Sequence, residues 1–590
     1  MDIQEIKQTP IWDLYEKGRN YHRRTNIYED TDRNYRMYNG DQWGGAKLGD
    51  VEPVQKNFIK PIVKYKVSVI HDNLYAVNFS SQNYENRQFQ KEASRYCDLL
   101  NGYIRRLWEN DKLDFYGRRV TKDAAINGEG IIYINYDKKK NTPVHEIIKK
   151  VDVYYGNEND DNIQAQPYIL IRKRMPVVNA IELALNEGMS ESKVNFIIGD
   201  NDNFEESGEA AKEELDNMVT IVYKMFKQNG TVHYSIATRW CEITKEVDTG
   251  LTHYPIAHFI WEEKEGSARG EGEVKYLIPN QIEVNRTEMR RVLTVKEQAY
   301  PMKVIDISKV NNPEAINTVG GVIHTNGAPV DDVNKIVGTI HPAQMSNDVK
   351  QLQEDLIQVT RELAGAGDTA TGQVNPESAS GRAILAVQQA SQAPMTEQKE
   401  AYKNFIEDIA TIDLEYFVVY AEDGVDMEET VTDPMTGEEY IQMVNVPQSV
   451  LQQLQAVVKI DITPKGVYDR FAMEQTMENF LMNGFFNPQR VAEFEAYVKA
   501  LPDDSVAPKQ DLLEGIENIK KTQQQIAQIN AQAQIMQQRA QQFLMEDPDG
   551  QAQQMADAMM QLQNQQFANQ EAQLDGQVAE EVENVDKASV

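Results

Sequence analysis

Apolar side chains first recur along the chain at helical spacing. Ile11, Leu14, Tyr15, Ile27, Tyr28, Tyr35 and Tyr38 predict a helical stretch over 10–38, closed by the Asn39–Gly40 turn. Residues 58–77 repeat the pattern through Ile62, Val63, Val67, Ile70 and Leu74. Residues 91–110 place Cys97, Leu100, Ile104, Leu107 and Trp108 on one face, which makes Cys97 a core thiol. The period then shortens. The runs 131–136, 144–155, 168–174 and 218–226 are β-branched and partly alternating, and Asn229–Gly230 between two such runs reads as a hairpin turn. Residues 116–262 are thus an α+β segment with a charged insert at 197–216.

Helical spacing returns from Glu271 to Gln298. Pro279 sits inside it, so the helix is expected to begin or kink there. A compact Val/Ile-rich segment, 301–344, follows and is punctuated by prolines and by Gly320–Gly321 and Asn326–Gly327 turns. Then come a helix over 346–364, a Gly-rich loop over 365–381 and a long helical stretch over 382–421. A polar hairpin-like stretch (425–447), a short strand (457–463) and two short helices (470–483 and 487–500) complete the order. In the Gln-rich C-terminus, Leu512, Ile516, Ile519, Ile526, Ile529, Ala533, Met536, Ala540 and Phe543 step by three, four or seven. Such a seam packs either on its own subunit or on copies of itself. The narrow stripe in an uncharged polar surround favours copies. Residues 574–590 have the composition of a disordered tail. The fold class is α+β, predominantly α-helical.

Composition narrows the function. With 41 % apolar residues the chain can build real cores, and its net charge of −32 argues against a broad basic surface that grips nucleic acid. It leaves room for a surface that DNA passes without sticking. Two cysteines cannot make a disulfide framework, no apolar run approaches the ~20 residues of a membrane span, and the N-terminus has no signal-peptide core. Membrane and secreted classes are therefore not expected. There is no GxxxxGK[ST], HExxH, GxSxG or paired CxxC. His253 and His258 share a strand-like spacing that is more often structural than metal-binding. The run through Asp30, Asp32 and Asn34 begins like a calcium loop, but Tyr35 stands where the turn needs Gly and Asp41 where the bidentate Glu belongs. Gly270 and Gly272 do not complete a dinucleotide fingerprint. No enzyme, catalytic residue, cofactor or metal is expected.

The informative feature is an order of elements: long helix, small β-rich segment, returning helix, flexible loop, long helix. An isolated chain would leave that excursion wet; neighbouring copies in a ring would cover it. A helix over 280–298 is about 28 Å long. About twelve of them side by side at ~10 Å spacing leave a lumen near ~28 Å, wider than a DNA duplex of roughly 20 Å.

This order resembles the portal proteins of tailed bacteriophages. Local stretches are similar too: YRMYNGDQW (35–43), NFIKPIVKYKVSVI (57–70), NGEGIIYINYD (127–137), YPIAHFIWEEKEGSARGEGEVKYLIPNQIEVNRTEMR (254–290) and LAGAGDTATGQVNPESASGRAI (363–384). The resemblance covers roughly residues 20–500. It implies a portal fold assembled as a ring: a wing from 1–271 with 382–450, a stem from helices at 272–300 and 345–364, a clip at 301–344, a tunnel loop at 365–381 and a crown at about 451–573. It further implies a homo-oligomer of about twelve copies at one capsid vertex. Double-stranded DNA is packaged and ejected through it without sequence specificity. The implied partners are the terminase large subunit, head-completion and tail adaptor proteins, and the major capsid and scaffolding proteins. The implied location is the virion, with the host cytoplasm during assembly. The alternative is a cytosolic scaffold or adaptor assembled only through the C-terminal seam.

A conduit must not hold DNA tightly, and a lumen sharing the negative charge would repel phosphates. In the tunnel loop, Gly367, Asp368, Thr369, Thr371, Gln373, Asn375 and Ser378 offer small, mostly neutral contacts to passing DNA. On the stem helix, Arg286 and Arg290 are four apart and share a face, with Arg291 and Lys296 nearby. They either bridge to Glu283, Glu288 or a neighbouring subunit, or touch phosphate weakly in the channel. The crown seam is represented by Ile516, Ile519, Ile526, Ile529, Met536 and Phe543.

Overall fold

The computed structural model describes residues 8–44, 46, 52–81, 87–200, 217–318, 320–326, 336–340, 345–367, 393–432 and 439–464, and parts of 476–520. It is a mixed helix and sheet protein with two compact units, 1–463 and 464–590.

The first unit opens with helices α1 (Pro10–Arg24) and α2 (Ile27–Asn39), rather than one continuous stretch. Asn26 between them adopts a left-handed conformation (φ 57°), which Asn tolerates and a helix interior does not. Asp30 and Asp32 therefore lie on a helix and pair with Arg33 and Arg36 at 2.9 and 2.8 Å. After α3 (Ile59–Ile70) and β1 (Asn73–Ser81) come α4 (Arg87–Asn110) and α5 (Leu113–Asn127). Cys97 on α4 is buried in the core.

Two antiparallel sheets follow. One has the order β3-β2-β9, from β2 (Glu129–Asp137), β3 (Thr142–Ile148) and β9 (Ile256–Ile260). The other is β4-β5-β6-β7-β8, from β4 (Val153–Tyr155), β5 (Ile169–Pro176), β6 (Met218–Gln228), β7 (Thr231–Ala237) and β8 (Glu242–Asp248). Between β5 and β6 lie α6 (Val177–Asn186) and the short α7 (Glu191–Val194). The β6–β7 hairpin turns at Asn229 and Gly230, both with positive φ, as a two-residue primed turn requires.

Helix α8 (Glu273–Ala299) leads to a small antiparallel pair, β10 (Met302–Ile305) and β11 (Val337–Ile340), and α9 (Asn347–Leu363) returns. The start of α8 differs from the sequence expectation. It lies six residues before Pro279, because Val274, Leu277 and Ile278 are buried in the main core. That burial outweighs the ~3 kcal/mol that an interior proline costs a helix. Helix α10 (Thr396–Tyr420) runs through the same core, packing Tyr402, Phe405, Ile409 and Phe417 against β9 and its surroundings. The unit closes with the β12–β13 hairpin (Val425–Thr432 and Glu439–Val446), α11 (Gln448–Leu454) and β14 (Ala456–Pro464), which pairs with β1. In the second unit, α12 (Val491–Ala500) is described, and Val498, Leu512, Ile516 and Ile519 are buried.

Candidate channel and assembly elements

The α8–α9 pair is held by polar contacts in antiparallel register. Asn280 donates to the Thr360 hydroxyl at 2.8 Å, and Arg291 to Gln353 Oε1 at 2.6 Å. Gln353 in turn donates to Glu288 at 2.8 Å, and Glu288 also pairs with Arg291 (3.0 Å) and Lys56 (3.1 Å). Partial burial opposes ionisation of Glu288. The hydrogen bonds from Gln353 and Lys56 and the nearby cations outweigh it and hold the carboxyl below its ordinary range.

The root of α8 is fixed by two buried amides one turn apart. Gln281 accepts from the Phe58 N–H (3.0 Å) and donates to the Lys56 carbonyl (2.8 Å), while Asn285 accepts from the Lys56 N–H (3.1 Å). Sequence reasoning did not single out either residue. The signal was there: two amides at i, i+4 on an otherwise apolar face, positioned to satisfy an irregular backbone.

Just before α8, Arg269 is almost fully buried. It donates to Glu129 (2.9 Å), to both oxygens of Glu158 (2.8 and 3.0 Å), to the carbonyls of Val153 and Lys150, and to His22 Nε2 (2.9 Å). Its guanidinium also lies over the Tyr155 ring. Burial disfavours charge on His22, and the Arg269 cation adds to this, so its pKa falls to about 4 and the ring accepts as a neutral imidazole. Glu158 resists burial through the same arginine and is held at about 2. The backbone is equally tight here. A Cβ on Gly270 or Gly272 would press on the carbonyls of Gly128 and Ile126 at 2.5 and 2.6 Å. The glycines of RGEGEV thus serve close packing of the loop on α5 and β2.

Toward β10 and β11, burial thins to a few residues such as Val310 and Ile336. Helix α8 is buried as far as Thr287, yet Val295, Tyr300 (84 %), Met302, Val304, Ile307 and Ile340 are exposed, as are Leu352, Val359 and Leu363 (81 %) on α9. Exposed apolar side chains are thus concentrated in this one excursion.

Of the stem charges, Arg291 is tied to Glu288 and Gln353, whereas Arg286 and Arg290 share the single carboxylate of Glu283 at 3.8 and 3.6 Å and remain more than half exposed. Lys296 is exposed near the end of α8. Gly367 follows α9; Asp368, Thr369, Thr371, Gln373, Asn375 and Ser378 lie outside the described residues. Ile516 and Ile519 are buried within the single chain, and Ile526, Ile529, Met536 and Phe543 lie outside the described residues. His253 and His258 turn to different carboxylates, Glu415 at 3.1 Å and Glu129 at 2.8 Å. Among the described residues no group of three or more His, Cys, Asp or Glu side chains could hold a metal, and no helix is long and apolar enough to cross a membrane.

A mixed helix and sheet protein with a helix–strand-pair–helix excursion is what this arrangement defines. Comparison with known families places it: residues 172–575, more than half of the chain, match the family described as Phage P22-like portal protein, and the chain belongs to that family. No curated protein matches it.

Proposed function

We propose that copies of this chain form the ring-shaped channel at one capsid vertex, through which double-stranded DNA is packaged and later ejected. The observation that carries this reading is the α8–β10/β11–α9 excursion, rooted in the core by Gln281, Asn285 and Arg269 and carrying many exposed apolar side chains beyond Thr287. In a ring the two helices are the stem, the β10/β11 segment the clip that meets the terminase and then head-completion or tail adaptor proteins, and the sheets with α10 the wing that meets capsid and scaffolding proteins. The loop at 365–381 borders the bore, where its small side chains give phosphates little to hold. The net charge of −32 per chain keeps a polyanion moving rather than bound. Hydrolysis of nucleotide belongs to the terminase and not to this chain.

Sedimentation and negative-stain imaging of the purified protein test the reading. The expected result is a closed ring of about twelve copies with a hole near 30 Å. Monomers or dimers at every salt concentration would sink it.

A further inference from the structure

The sides of α8 and α9 that point away from each other carry opposite charges. On α9, Asp348, Asp355 and Glu362 are exposed and seven residues apart, so they form one row along the helix. Beside that row lie the exposed Leu352, Val359 and Leu363, which fall within roughly 40° of one another around the axis. The opposite side of α9, with Gln353 and Thr360, is the one spent on α8 of the same chain. On α8, Arg286 and Arg290 share a face with the partly exposed Met289 and Leu293, roughly 80° of arc or more away from the residues that meet α9. Among the described residues, the two arginines pair only with Glu283.

We infer that the basic face of α8 in one copy docks on the acidic row of α9 in the next copy around the ring, with Arg286 closing on Asp355 and Arg290 on Asp355 and its neighbour Asp348. The inference rests on the ring reading above. Its geometry follows from rotation alone. Turning a subunit about an axis parallel to the stem leaves every residue at its own height. Inside one chain Asn280 stands level with Thr360, and Glu288 with Gln353. The stretch of the next copy's α9 at the height of Arg286 and Arg290 therefore runs through Asp355. Because the copies are related by rotation, their α8 and α9 run antiparallel, as the intrachain pair does. The contact is head-to-tail, so every copy gives one basic face and one acidic face, which closes a ring. It also assigns Arg286 and Arg290 to the seam between subunits rather than to passing phosphate.

Charge reversal with a mixing arm tests this. Variant one carries R286E and R290E; variant two carries D348K and D355K. Each alone should need at least about tenfold more protein than wild type to form rings at low salt, since it places like charges at every contact. Mixed one to one, the two should form alternating rings at near wild-type concentration, visible by native mass spectrometry as equal numbers of each chain. A single chain bearing all four changes should ring like wild type. If wild-type rings form and both variants assemble equally well, or the mixture stays as poor as its parts, the stem contact is wrong while the ring stands. If wild type forms no ring at all, the functional reading fails and takes this contact with it.

Discussion

Arg269 meets Glu129 at 2.9 Å with both side chains almost wholly withdrawn from water, and through that contact the loop launching α8 is bolted to β2. Glu158, His22 and two backbone carbonyls fill the rest of the guanidinium's fork. Removing the arginine would take the cation that two buried carboxylates share, leaving Glu129 with His258 and Lys150 alone. Arg269→Ala should therefore cost about 3–5 kcal/mol, and Arg269→Lys, which keeps charge but loses the planar fork, should recover only part of it. Urea unfolding of the two variants checks this; equal stability to wild type would mean the cluster is decorative.

Two buried histidines give the stability of the first unit opposite pH dependences. His145 is fully buried between Asp413 (3.2 Å) and Asp111 (3.3 Å); burial opposes its charge, but the two carboxylates outweigh it and raise its pKa to about 9. Its contribution is complete below the unfolded value near 6.5 and is lost as pH rises toward 9. His22 is depressed to about 4, so the unfolded chain binds the extra proton between pH 6.5 and 4 and stability falls as pH drops through that window. His145→Gln should flatten the alkaline limb and leave the acid limb, and His22→Gln the reverse. Each limb is of order 3 kcal/mol deep. Unfolding midpoints from pH 4 to 10 decide it.

Gln281 serves the Lys56–Phe58 backbone from inside α8. Gln281→Leu preserves volume but leaves a buried N–H and carbonyl unpaired, and should cost about 2–4 kcal/mol. Faster amide exchange at Phe58 than in wild type is the local readout, and unchanged protection there would contradict it.

Shortening the loop by removing 369–379 should leave rings intact while lowering DNA filling or retention. Particles filled like wild type would remove the loop from the channel.

Deleting 505–590 separates a portal from an adaptor joined by its C-terminal seam. The truncated chain should still form rings through stem and wing. A fall to monomers would favour the adaptor.

Periodicity alone determined much of this protein. The helical spacing of α3, α4, α8 and α9, the β-branched runs of β2, β5 and β6 and the Asn229–Gly230 turn are local patterns, and local patterns report which face of an element is apolar. They also placed the excursion and the stem cations on their helix. Tertiary structure decided the rest, because it depends on residues far apart in sequence. Pro279 ended up inside α8 since distant core residues bury Val274, Leu277 and Ile278. The glycines of RGEGEV do not complete a dinucleotide fingerprint in one dimension, and in three they pack on Gly128 and Ile126 while the arginine finds Glu129 and Glu158, more than a hundred residues upstream. Which cations are occupied and which remain to meet a neighbour was likewise decided by the fold. Glu288 and Gln353 claim Arg291, while Arg286 and Arg290 are left to divide Glu283.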